Sequence, residues 1–321
     1  MTDSVEPVPY ALEPALRPAR RRPLRGRLSA GSVPYVLLLP ATGVIVAVLG
    51  YPLVRMVLLS FQKYGLFELI RHHGTWIGID NYTHIVHDPT FWDVLGRTFA
   101  FTAVNVGLTM VLGTLVALLL AQLGKAMRLL LTVGLVLVWA MPPVVSVNIW
   151  NWMVDYEFGV LNWTLTRLGV GDFTHHDWFV NPIQGFAVIT AIVVWGAIPF
   201  VAITIYAGLT QVPGELLEAA RVDGAGPARI FRDMTLPILK PIFVILASLS
   251  VIWDFQVFSQ IWIIRNYRPE SSYYLISIYS FVTSFNQSNY GLGSALAIVM
   301  VLIMLGVTFV YIRQMVRLGE M

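Results

Sequence analysis

The 321-residue chain contains no cysteine, and charged residues make up only 12% of it. The first absence excludes disulfide staples, cysteine-ligated metals and thiol nucleophiles, and says nothing of compartment, because a membrane-buried fold needs no staple. The second argues against a water-soluble fold, since soluble domains carry roughly a quarter charged residues. Neither sign of charge dominates: 21 Lys+Arg against 18 Asp+Glu leave a net +3, too small an excess for a nucleic-acid footprint. A phosphate-binding G-x-x-x-x-G-K-[ST] loop is also missing. Gly124-Lys125-Ala126 has neither the first glycine nor the hydroxyl that would hold magnesium.

What the chain has instead is apolar length, with 57% hydrophobic residues. Stretches near 34–59, 98–121, 129–153, 183–209, 239–263 and 293–312 each approach or exceed the roughly 20 helical residues that cross a hydrocarbon core. This predicts an all-α integral membrane protein of six transmembrane helices, residues 34–321, behind a disordered basic tail over 1–33. Arg20, Arg21 and Arg22 imitate a twin-arginine export signal, but the apolar run from Tyr35 to Leu59 is too long for the core of one. Basic residues set the orientation. With the N-terminus in the cytoplasm, that side collects the tail arginines with Lys125, Arg128, Arg221, Arg229, Arg232, Lys240, Arg313 and Arg317. An even number of spans then puts both termini inside, and the segments near 60–97, 154–182 and 264–292 outside.

The inner connection 210–238 carries the most specific pattern. Glu215 and Glu218 suit the positive end of a short helix, with Pro213 at its first position. Gly224 and Gly226 interrupt it, and Pro227 starts another helix. Ala219, Ala220, Gly224 and Ala225 leave little bulk, while Glu218, Arg221 and Asp223 offer charge, so the pattern reads as a docking element. Glu218-Ala219-Ala220, then Gly224, then Met234-Thr235-Leu236-Pro237 resemble the EAA motif of ABC-importer permeases, with Met234 where isoleucine is usual. Asp223-Gly224-Ala225 and Phe231 resemble the carbohydrate, maltose-type branch, as do Trp76–Tyr82, Asp88–Trp92, Met141-Pro142-Pro143, Trp150-Asn151-Trp152 and Gly159–Asn162. Arg265–Pro269 departs from the branch's Gly-Gly-Pro turn, suggesting a different outer contact or substrate subset.

The resemblance implies a MetI-like permease bundle in the bacterial plasma membrane, itself no enzyme and binding no cofactor. ATP and Mg would sit on two separate ATPase subunits, coupled through Glu218, Ala219, Ala220, Asp223, Gly224, Leu236 and Pro237. Further implied partners are a second permease in a heterodimer and an extracytoplasmic solute-binding protein delivering a sugar.

Asp254 is the one carboxylate well inside an apolar run, at an insertion cost of roughly 2.5–3.5 kcal/mol, which argues for an interior or water-lined position. A carboxylate and aromatic faces suit a sugar's hydroxyls and ring, so Asp254, Trp253, Gln256, Trp195, Phe200, Asn148 and Asn151 are the candidate path residues. Helix–helix hydrogen bonds and interfacial anchoring are the plainer roles for the amides and tryptophans. The six histidines fall on the outer side without a ligand frame, so no metal site is expected. Competing readings are a permease for glycerol phosphate or a polyamine, or an ion-coupled secondary transporter. The latter would require paired intramembrane charges.

Overall fold

A computed structural model describes residues 33–319; the tail expected over 1–33 lies, save its last residue, outside that range. Helix α1 (Val33–Ile45) passes through a π turn (Val46–Gly50) into α2 (Tyr51–Ser60). Among the described residues, those as far as Leu53 fall in one unit and those from Val54 in another; the packed core belongs to the second. A two-residue antiparallel ribbon, β1 (Gln62–Lys63) with β2 (Thr75–Trp76), pairs Gln62 with Trp76 and brackets α3 (Leu66–Arg71). The amide of Asn81, in α4 (Asp80–His87), donates to the Ser60 and Gln62 carbonyls at 2.9 and 3.0 Å, pinning the ribbon to the end of α2.

Helix α5 (Pro89–Gln122) starts where sequence chemistry asks: the Asp88 carboxylate accepts the Thr90 N–H at 2.9 Å, and Pro89 occupies the first turn. Then come α6 (Lys125–Trp139), α7 (Pro143–Met153), α8 (Val160–Arg167) and α9 (Pro182–Leu209), the last capped by Asn181. The inner connection holds α10 (Gly214–Val222) and α11 (Pro227–Ile230), joined by a π turn (Phe231–Thr235) to α12 (Leu236–Phe255). Short helices α13 (Ser259–Ile264) and α14 (Ile276–Phe281) precede the long α15 (Tyr290–Gly319).

Among the described residues five helices are long and apolar enough to cross a membrane, or six if α6 and α7 count as one span bent by 101°. That bend corrects the unbroken third span expected over 129–153. Pro142 and Pro143 lack the N–H groups a continuing helix would use, and proline disfavours the helical region for the residue before it. The expected 239–263 span is likewise interrupted, α12 ending at Phe255 and α13 resuming at Ser259.

The core forms where α5 lies along α9, with α12 against both and α15 against α12. Ala117, Val201, Ile205, Leu239 and Leu246 make one buried cluster, and Phe91, Val94, Phe255, Ile276 and Leu296 another. Close approach of α5 to α9 depends on Gly113, where a Cβ would stand 2.6 Å from Cγ1 of Val201. Beyond the helices, Arg97 donates to the Ser271 and Tyr274 carbonyls at 3.0 Å, and the Tyr279 hydroxyl donates to Asp88 at 2.6 Å. Burial, aided by that carboxylate, keeps the Tyr279 hydroxyl protonated well above its ordinary range.

Arg265, in the segment that departs from the family turn, makes two bonds to Glu270 at 2.6 and 3.1 Å. Its guanidinium also lies 4.7 Å from the Tyr273 ring and 5.3 Å from that of Phe179. The arginine is therefore an internal clamp, and the exposed part of the segment is Asn266-Tyr267-Arg268.

Gly113→Leu should destabilise the bundle by about 1–3 kcal/mol through overpacking, read as a lower thermal midpoint for the purified transporter. The Arg265 bonds hold the Glu270 carboxyl below its ordinary value of 4.5. The clamp's contribution is thus fully present above that pH and fades as acid titrates the folded carboxylate. Protection factors across 265–275, which remove the intrinsic pH dependence of amide exchange, should fall on acidification in the wild type and be insensitive to it in Glu270→Gln.

Candidate coupling loop and membrane path

Helix α10 sits on the body of the protein by one face. Ala220 is buried and Leu217 packs on the cluster formed by α5, α9 and α12, while Glu218, Ala219 and Val222 are exposed. Ala220, expected on a docking surface with its neighbours, instead faces inward. Pro213 stands just before the first helical residue rather than in it. The helix ends in a Schellman arrangement. The Ala225 N–H bonds the Ala220 carbonyl at 2.9 Å and the Gly224 N–H bonds that of Arg221 at 3.0 Å, with Gly224 at φ +78°. A Cβ on Gly224 would meet nothing within 4 Å, so the backbone angle, not space within this chain, calls for glycine. Asp223 and Gly224 are exposed at this corner.

From the corner the chain re-enters the bundle without a loose joint. Gly226 precedes Pro227 at the first position of α11, and the π turn leads directly into Leu236 and Pro237 of α12. Exposed ion pairs of Asp233 with Arg229 and Arg232, both 3.6 Å, add little. Leu236 is partly buried and Pro237 exposed, so these two motif residues belong to the start of the span rather than to the corner.

The candidate path residues separate into groups. On α12, Trp253 and Gln256 are exposed, one helical turn apart, whereas Asp254 is buried at 4% exposure on another face. The Trp253 ring meets Phe200 of α9 edge-on at 5.3 Å, and Phe200 stacks at 6.3 Å on Trp139 of α6. Three separate helices thus contribute to one aromatic file. Trp195 is elsewhere, edge-on to Trp150 at 6.2 Å, in an open apolar groove of about 930 Å³ between α5 and α9. Asn148 and Asn151 are exposed on α7, the Asn148 amide donating to the Val144 carbonyl at 2.7 Å.

Sequence reasoning missed two features. Trp139 was lost in an apolar run. Thr98, Thr102, Asn105 and Thr109 form a buried polar stripe on α5, whose helical spacing was legible in the sequence.

Residues 110–318 match the family described as the binding-protein-dependent transport system inner membrane component. The chain is 42% identical over 297 residues to the diacetylchitobiose uptake system permease protein DasB of Streptomyces coelicolor, covering 92% of this chain and 90% of that one. It is 35% identical to the sulfoquinovosyl glycerol transport system permease protein SmoG of Agrobacterium fabrum, covering 87% and 88%. To the trehalose/maltose transport system permease protein MalF of Thermococcus litoralis it is 31% identical, covering 87% and 92%. In fold it is similar to a chain of a bacterial ABC transporter that imports the acidic polysaccharide alginate, with a TM-score of 0.72 at 20% identity, covering 87% and 94%. The chain therefore belongs to the binding-protein-dependent transport system inner membrane components, as a multi-pass ABC-transporter permease of the plasma membrane and not an enzyme.

Proposed function

We propose that the chain forms half of the membrane path of an ATP-driven importer for a sugar or oligosaccharide. A second permease forms the other half, two ATPase subunits bind ATP and Mg inside, and a solute-binding protein delivers cargo outside. The solutes in the names of the relatives, diacetylchitobiose, sulfoquinovosyl glycerol and trehalose/maltose, support a sugar-containing cargo.

The observation that carries the reading is mechanical continuity between the corner at Gly224 and Trp253. Glu218, Ala219, Val222 and Asp223 offer an exposed surface to the ATPase, and Leu217 and Ala220 tie α10 to the bundle. The chain then runs through helix and π turn into α12, which bears Trp253 and Gln256. A displacement of α10 driven by ATPase closure would therefore reach the aromatic file without passing through a flexible loop. The aromatic faces of Trp253, Phe200 and Trp139 suit the C–H faces of a sugar ring, and Gln256 suits its hydroxyls. The basic residues on the α10 side support a cytoplasmic setting for that surface.

Glu218→Lys should abolish uptake while leaving membrane insertion intact. At Gly224 the left-handed angle costs a side chain about 1–2 kcal/mol, so Gly224→Val should lose coupled ATPase activity and Gly224→Asn should retain more of it. Normal transport by both Glu218→Lys and Gly224→Val would sink the coupling role. Trp253→Ala and Phe200→Ala should raise the KM for uptake by roughly tenfold, equivalent to about 1.4 kcal/mol, with ATPase coupling preserved. An unchanged KM would remove the aromatic file from the path.

A further inference from the structure

Buried polar atoms in folded proteins nearly always have partners, so a cluster that lacks them marks something missing. Among the described residues six such atoms occur; His176 Nε2 and Thr283 Oγ1 lie elsewhere, and the other four are on α5 and α12: Thr102 Oγ1, Asn105 Oδ1, Thr109 Oγ1 and Asp254 Oδ2. All four residues are at most 4% exposed within this one chain, so neither lipid nor another subunit can reach them.

The local bonding leaves these oxygens without a partner on their own helix. Thr98 and Thr114, at the two ends of the stripe, give their hydroxyls to the carbonyls four residues back, at 2.7 and 2.6 Å. Thr102 and Thr109 do not. Asn105 spends its amide N–H on the Phe101 carbonyl at 2.7 Å, leaving its oxygen free.

Register brings Asp254 to the outer part of this stripe. The ring of Phe255 lies 5.3 Å from that of Phe99, and Leu246, two turns before Asp254, packs in the cluster that holds Ala117. The two helices therefore run in opposite directions, with Asp254 near the level of Thr102. Thr109 is two turns deeper than Thr102, about 10 Å, beyond the reach of the same small ligand.

No described cation pairs with Asp254. Arg97, on α5 with the polar stripe, is committed to the Ser271 and Tyr274 carbonyls. A buried carboxylate calls for a compensating charge. The donors are all oxygen, with one carboxylate and neither imidazole nor thiolate, which suits a hard cation, and a single negative charge suits a monovalent one.

We propose that the seam between α5 and α12 binds a sodium ion, held by the Asp254 carboxylate, the Asn105 carbonyl oxygen and the Thr102 hydroxyl. The ion neutralises Asp254 and staples the two helices. This site is independent of the identity of the transported solute.

The test is hydrogen exchange of the full chain, purified in lipid nanodiscs with its associated subunits, in sodium, potassium or choline chloride at equal ionic strength. Peptides covering 98–108 and 248–257 should exchange about tenfold more slowly when sodium is ten times its apparent dissociation constant. Asp254→Asn and Thr102→Val should lose that response, and Thr109→Val should keep it. Equal exchange in sodium and choline would overturn the proposal, as would a sodium response that survives Asp254→Asn. Protection produced by acidification alone, with sodium having no effect, would overturn it in favour of a proton on Asp254.

Discussion

A hydrocarbon core offers the peptide group no hydrogen-bond partner, so every break in a membrane helix must be repaired from within the protein. The organisation of this chain follows from that constraint. At Pro142-Pro143 the turn is closed by the Val145 N–H on the Pro142 carbonyl at 2.9 Å. Where α12 stops, the Val257 carbonyl is taken by the Ser277 hydroxyl at 2.6 Å. Each repair fixes the direction in which the next helix leaves. The break in the third span is thereby a definite bend of 101°.

The same economy explains the inner connection. Gly224 ends α10 by a pair of backbone bonds and a left-handed angle, so the corner keeps its form with little side-chain bulk. The exposed face can then be specialised for a partner, because its shape is held by the backbone and by Leu217 and Ala220 behind it. The π turn after α11 keeps the path from Pro227 into the span helical throughout. On the far side, Arg97, Arg265 and Tyr279 tie the 265–279 segment to α5 and to the start of α9 through carbonyls, rings and carboxylates. Those ties occupy basic and acidic side chains that a reading of exposed loops would assign to solvent.

The polar stripe of α5 contrasts with both regions. Its threonines and asparagine are enclosed by apolar neighbours, where an unmet oxygen is expensive. Asp254 joins the same interior, with Trp253 and Gln256 on other faces of its helix. Asp254 thus has surroundings different from those of Trp253 and Gln256, as a helical step of about 100° per residue requires.

The sequence by itself determined that the protein is a helical membrane permease. Apolar length fixes the spans, and the spacing from Glu218 through Gly224 to Pro237 specifies the inner corner, because both are local properties that need no knowledge of neighbours. The interruption at Gly224 was legible for the same reason. Only the tertiary structure decided which side chains meet: Phe200 with Trp139 and Trp253, Trp195 with Trp150, and Arg265 with Glu270. Those pairings depend on how far each helix is rotated about its axis, which the polar spacing of α5 records but a span as uniformly apolar as α9 does not. The rotation is set when small residues such as Gly113 allow one helix to settle against another.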